Sequence, residues 1–197
     1  MNEQGFVVFP TAIGSCGIAW GPRGVTCVQL PERTAQATRD RLRRRHPEAV
    51  EAPPPPEIQQ AIDAIVALLH GEARDLSGII LDMADIPPFR QRLYAALRSI
   101  PAGATLSYGE LAARLGDGST ARDVGEAMGQ NPFPIIVPCH RVLAAGGKVG
   151  GFSAPGGVAT KLRMLQIEGA SVGEPPSLFS NLPLMAPRRR RYGLSER

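Results

Sequence analysis

The sequence predicts two units in tandem. The first is an α/β N-terminal domain, a small antiparallel sheet with helices. The second is a mainly helical, winged-helix-like domain containing a helix-turn-helix. Three observations predict this. FVVFPTAIGSCGIAWGPRGVTCVQL reads as hairpin strands around glycine turns. Near residues 84–88 the composition shifts to helical periodicity. Two helix-start signatures then flank a Gly-Asp-Gly break, the layout of two short helices joined by a turn. The expected units are residues 1–86 and 87–170, with a basic tail over 171–197.

GIAW and VTCVQL are strand-like, and Gly21-Pro22-Arg23-Gly24 is the turn between them. Residues 34–46 form a charged, exposed helix. Pro53 to Pro56 make a stiff break before an amphipathic helix whose Ile58, Ile62, Ile65 and Leu69 recur at helical spacing, and Gly71 stops it. Leu76 to Leu81 can add a strand. FRQRLYAALRSI is amphipathic through Phe89, Leu93, Leu97 and Ile100.

Ser107 and Glu110 form a capping box, with Leu106 and Leu111 at the spacing of a hydrophobic staple. Thr120 and Asp123 offer a second box, opening a helix that runs to about Gly129. Ala121, Val124 and Met128 give that helix a core face. Arg122, Gly125 and Gly129 share the opposite side. Each interior glycine costs about 1 kcal/mol against alanine, so a smooth glycine face suits close approach. Nucleic acid or a packed helix would both meet that description.

The chain has 197 residues, 43% hydrophobic and 20% charged, which excludes a disordered chain. No apolar run reaches membrane-spanning length, and MNEQGFVVFP has no leader pattern, so the expected compartment is the cytoplasm. The formal charge of +4 permits a nucleic-acid partner without requiring one. Three cysteines argue against a disulfide framework. Cys16 and Cys27 have no nearby histidine for a zinc site and read as small core residues, while His46 and His70 fall at helix ends.

The chemistry concentrates in NPFPIIVPCHRV, residues 131–142. A thiol reacts as thiolate, and His140 beside Cys139 is a candidate base. Neighbours in a straight strand face opposite ways, so a partnership needs a turn here, which Pro138 allows. Glu168 falls within the apolar arc of the helix Val158 to Glu168, where a carboxylate wants a partner. That partner is His140, or else the carboxylate reaches out to solvent at the helix end. Cys139 itself is either a nucleophile or inert core.

SYGELA, ARDVGEAMGQNPFPIIVPCHRV, KVGGFSAPGG and TKLRMLQIEG, in this order, closely resemble the O6-alkylguanine-DNA alkyltransferases. The resemblance is strongest from Ile100 to Gly169. It implies irreversible, single-turnover transfer of a methyl or other alkyl group from O6-alkylguanine in double-stranded DNA to Cys139, with O4-alkylthymine as a further substrate. It implies no cofactor and no metal, and a monomer. His140 would act as base through a water and Glu168 would polarise it. Asn131 would tie the helix-turn-helix to the active-site loop, and Tyr108 would protonate the leaving guanine. Arg122 would fill the gap left by the extruded nucleotide, with Thr120, Ala121, Gly125 and Arg141 also at the DNA. Pro134, Val142, Phe152 and Ser153 would line the substrate pocket, and Lys161 would seat its loop.

The chain departs from the family at Asp123 and Glu126, acids on the DNA-facing helix, and at Phe152, where a tyrosine often stands. The rival readings are a damage-binding protein that flags lesions without repairing them, a cysteine hydrolase, and a sequence-specific regulator. The first is set apart because such proteins replace the acceptor cysteine, which this chain keeps.

Overall fold

The computed structural model describes residues 4–172. The expected tail lies outside the described residues except for Ser171 and Val172. β1 (Gly5–Thr11), β2 (Gly14–Gly21) and β3 (Gly24–Gln29) form the antiparallel meander that the turn signals predict. At Gly24, φ is +118° and an added Cβ would lie 2.5 Å from the Ile80 carbonyl oxygen, so only glycine fits.

After α1 (Ala35–Arg45), the two-residue β4 (Val50–Glu51) pairs parallel with β1. The sheet order is therefore β3-β2-β1-β4, and the sheet is mixed rather than purely antiparallel. α2 (Pro56–Leu69) begins on the last proline of the stiff break, where a missing N–H costs nothing. It buries Ile58, Ile62, Ile65 and Leu69 as the periodicity predicts.

Leu76 to Leu81 does not form a strand. It contributes one bridge, Leu81 to Val25. The reason lies in α3 (Pro88–Arg98): Nη2 of Arg98 donates to the carbonyls of Leu76, Ser77 and Ile79 at 2.6–3.0 Å, taking the acceptors a strand would use.

β5 (Leu106–Ser107) leads into α4 (Tyr108–Leu115), and the αL residue Gly116 caps it. α5 (Ala121–Gly129) follows. Both capping boxes are formed, by Ser107 with Glu110 and by Thr120 with Asp123. Asp123 is thus spent on its own helix end, accepting from the Thr120 N–H and hydroxyl at 2.7 Å. The core face of α5 is Val124, Ala127 and Met128. Ala121 is exposed, because the first turn projects beyond the packed part of the helix.

β6 (Val142–Leu143) pairs parallel with β5, Leu106 to Val142 and Ser107 to Leu143. The pairing fixes the start of α4 against the segment just after Cys139. α6 (Gly157–Ile167) ends the described fold. One apolar cluster runs from Phe9 and Trp20 through α2 and α3 to Ile136, Val137 and Met164. The Val28 N–H donates to the Pro132 carbonyl at 2.8 Å, tying β3 to the loop that carries the cysteine. Among the described residues no helix is long and apolar enough to cross a membrane.

Candidate active site

The segment Asn131 to Pro138 is held from within. Asn131 donates Nδ2–H to the Val137 carbonyl and accepts the Phe133 N–H on Oδ1, both at 2.9 Å. Phe133 is buried edge-on to Tyr94, with ring centroids 6.4 Å apart. Ile135 has φ +76°, a left-handed conformation that β-branched residues rarely adopt. After Pro138 the chain makes a single 3-10 turn, Cys139–Arg141. This is the break that lets adjacent residues cooperate.

Behind the thiol lies a buried charge array. His140 Nε2 is 3.0 Å from Glu168 Oε1. The Arg141 guanidinium grips the same carboxylate twice, Nε to Oε2 at 2.8 Å and Nη2 to Oε1 at 2.7 Å, and Nη1 donates to the Ile100 carbonyl. The Glu168 side chain is 2% exposed. Burial by itself raises a carboxyl pKa, but the hydrogen bonds and charges of His140 and Arg141 outweigh it and hold Glu168 at about 2. The carboxylate is therefore ionised at neutral pH.

Burial pushes the His140 pKa down, with the cations Arg141 and Lys161 in support and Glu168 opposing. A neutral imidazole facing a carboxylate donates from Nε2, which leaves the lone pair on Nδ1. That Nδ1 is buried and meets no hydrogen-bond partner among the described residues. Burial also raises the Cys139 thiol, against the influence of Asn131 and Lys161. At rest the pair is thus a thiol beside a free base. Lys161, fully buried, donates to the Val142 carbonyl at 2.6 Å, and desolvation lowers its pKa to about 8.

Cys139 opens onto a cleft of about 510 Å³. Of the residues expected at the site, Tyr108, Gly125, Asn131, Pro134, Phe152 and Ser153 line it with the cysteine. His140 and Glu168 stand behind it. Thr120, Ala121 and Arg122 are exposed at the start of α5.

Three expectations need correction. The resemblance puts Arg141 at the DNA, but it is buried and bound to Glu168, so it is not available to a phosphate. Val142 is buried in the β5–β6 pair and does not line the cleft. Lys161 lies beneath the Cys139–Val142 segment rather than at the glycine-rich loop. The sequence pattern does not reveal a further part of the lining, formed by Val28, Gln29 and Leu30 at the end of β3 with Arg41 and Arg45 of α1. Nor does it reveal that Met128, assigned wholly to the core, reaches the cleft. No local pattern marks that part of the lining, because tertiary packing alone brings it there.

Residues 88–170 match the family model described as 6-O-methylguanine DNA methyltransferase, DNA binding domain. The chain belongs to the methylated-DNA–protein-cysteine methyltransferase family. It is 35% identical over 156 residues to the methylated-DNA–protein-cysteine methyltransferase of Methanothermobacter thermautotrophicus, covering 79% of this chain and 80% of that one. It is 40% identical over 127 residues to the enzyme of the same name from Mycobacterium tuberculosis, covering 64% and 74%. Among solved structures it resembles Mycobacterium tuberculosis OGT in complex with DNA, with a TM-score of 0.66 and 34% identity over 83% of this chain and 92% of that one.

Proposed function

We propose that this protein repairs DNA by direct reversal, with Cys139 taking the alkyl group from O6-alkylguanine once and irreversibly. The observation that carries the assignment of roles is the buried Cys139–His140–Glu168 array opening on a cleft that α5 helps to line. α4 and α5 form a helix-turn-helix within a winged-helix-like unit spanning residues 87–170, and residues 1–86 form the α/β unit beside it. The protein works as a cytoplasmic monomer on double-stranded DNA.

A base inside a duplex cannot reach a buried thiol, so the alkylated nucleotide must be extruded. The smooth Gly125–Gly129 face of α5 lies against the minor groove, and Arg122 fills the space left in the stack. Pro134, Phe152 and Ser153 hold the base in the cleft. The Cys139 proton passes to Nδ1 of His140 through a water, and ionised Glu168 stabilises the imidazolium that forms. The thiolate attacks the alkyl carbon, the S–C bond forms, and the C–O6 bond breaks. Tyr108 gives a proton to the leaving guanine and is reprotonated at the expense of the imidazolium. Restoring the thiol would require a nucleophile to expel the Cys139 thiolate from a neutral thioether, in which it is a poor leaving group, so the protein acts once.

The test is intact mass after incubation with a duplex containing one O6-methylguanine, followed by peptide mapping. The expected result is one methyl on the peptide holding Cys139, absent in Cys139→Ser. Retained binding to the damaged duplex with no mass gain would favour the lesion-flagging reading instead.

A further inference from the structure

The alkyl-transfer reading of the cleft leaves the part of its lining that α1 supplies without a task, and any role for that part in holding substrate DNA rests on that reading. α5 is poorly equipped to hold DNA by charge. It carries one arginine, Arg122, against Asp123 and Glu126. Duplex binding depends on neutralising phosphates, and the cations must come from elsewhere. α1 carries five arginines and one aspartate.

Four of those arginines divide between two sides of the helix. Arg39 and Arg43, one turn apart, both bind Glu51 at 2.7 and 3.2 Å. Arg41 and Arg45, also one turn apart, line the cleft that holds Cys139. Arg45 rests on a neutral acceptor, the Gln29 side-chain carbonyl at 3.3 Å. Gln29 is itself buried, with its amide donating to the Leu30 carbonyl at 2.8 Å, so the anchor is fixed while no carboxylate among the described residues pairs with the Arg45 charge. Arg41 pairs with a largely buried Glu32 oxygen at 3.2 Å, but its guanidinium is half exposed and keeps donors free for a phosphate in the cleft. Arginines in a last helical turn also suit the helix dipole. The dipole does not explain why one pair is neutralised by Glu51 while the other is turned to the cleft.

We infer that Arg41 and Arg45 form a second phosphate-contact site, holding the backbone of the lesion-bearing strand at the part of the cleft lining that α1 supplies. The strand that delivers the extruded base then meets both α5 and α1 at the cleft. Guanidinium forks match phosphate oxygens, and the contact carries no sequence information.

The experiment compares wild type, R41Q/R45Q and R41K/R45K on a duplex containing one O6-methylguanine, at 50 to 200 mM salt. Each protein is also assayed on the O6-methylguanine free base, which carries no phosphate. Two lost phosphate contacts flatten the slope of log K against log salt by about 1.8, so the affinity gap between wild type and the glutamine variant narrows about twelvefold over that range. The lysine variant keeps most of the slope. Transfer from the duplex falls in the glutamine variant more than transfer from the free base does. A wild-type slope in R41Q/R45Q, or equal losses on both substrates, would overturn the inference. A wild-type protein that gains no methyl from either substrate would instead overturn the alkyl-transfer reading beneath it.

Discussion

Arg141→Met, Glu168→Gln and the double variant form a cycle whose outcome the buried array dictates. Arg141 and Glu168 meet through two hydrogen bonds of 2.7 and 2.8 Å, and their side chains are 7% and 2% exposed. Removing either partner strands the other charge away from water, at a cost of about 3–5 kcal/mol. The pKa of Glu168 gives a similar scale. A fall from 4.5 to about 2 corresponds to about 3 kcal/mol of linkage. The folded value lies below the unfolded one, so this stability is present above about pH 4.5 and is lost as pH falls towards 2. The double variant leaves two neutral side chains of similar volume and should cost well under the sum of the single changes. The coupling energy from urea unfolding at pH 7 should be about 3 kcal/mol. Additive costs would refute the array as the source of stability here. The same cycle has a kinetic readout. In Arg141→Met the imidazole loses the guanidinium charge that pushes its pKa down and keeps Glu168, which pushes it up, so it takes up a proton more readily. In the proposed mechanism neutral His140 is the base, so the acid limb of single-turnover transfer should move to higher pH. A rate lowered equally at every pH would mean that Arg141 acts only through structure.

The geometry also sets the outcome of three other changes. Asn131→Ala removes the partners of the Val137 carbonyl and the Phe133 N–H, and should cost about 1–3 kcal/mol in urea unfolding, with slower transfer from duplex and free base alike. Gly125→Ala puts its methyl at ordinary contact distance, 3.6 Å from the Tyr108 ring. It should raise stability by up to about 1 kcal/mol through helix propensity, while weakening transfer from duplex DNA more than from the free base; equal effects on both would count against α5 as the DNA face. Methylating Cys139, which is 7% exposed, crowds a packed site by about 1–3 kcal/mol. The melting temperature should then fall by at least about 2 °C, and an unchanged melt would show that the site has room for the product.

The parts of the fold legible in the sequence are those specified locally. Ser107 with Glu110 and Thr120 with Asp123 fix two helix starts within four residues each, and both are formed as the spacing predicts. Gly24 marks a turn that no other residue fits. Two-residue strands such as β4 and β6 have no periodicity to read, and their pairing depends on partners far along the chain. Leu76 to Leu81 has strand-like composition, yet the guanidinium of Arg98 claims its carbonyls. Arg141 shows the same limit at the site. Beside a thiol and a histidine, its charge suggests an anionic ligand. Its partner is instead Glu168, 27 positions on, brought there by the end of α6. The link between His140 and Glu168 is legible only because a carboxylate in an apolar arc demands a partner.

Ile135 is where local preference and tertiary demand conflict. An L-residue in the left-handed region costs about 1–2 kcal/mol, and β-branching adds to it. The conformation persists because the segment is held on both sides. The Val28 N–H binds the Pro132 carbonyl, Asn131 bridges Phe133 to Val137, and the Ile135 side chain is 1% exposed in the core. Strain retained one turn before the reactive cysteine is consistent with a loop whose shape is set by what it presents rather than by its own comfort. The comparison of Ile135→Ala with Ile135→Gly isolates that strain, because both leave nearly the same cavity. At an ordinary position glycine is the less stable of the two by about 0.5–1 kcal/mol. At φ +76° the order should reverse, with glycine the more stable by about 1 kcal/mol in urea unfolding. An alanine variant more stable than the glycine one would show that the loop does not hold the left-handed conformation in solution. The support from Val28 and Asn131 would then have to be reassigned.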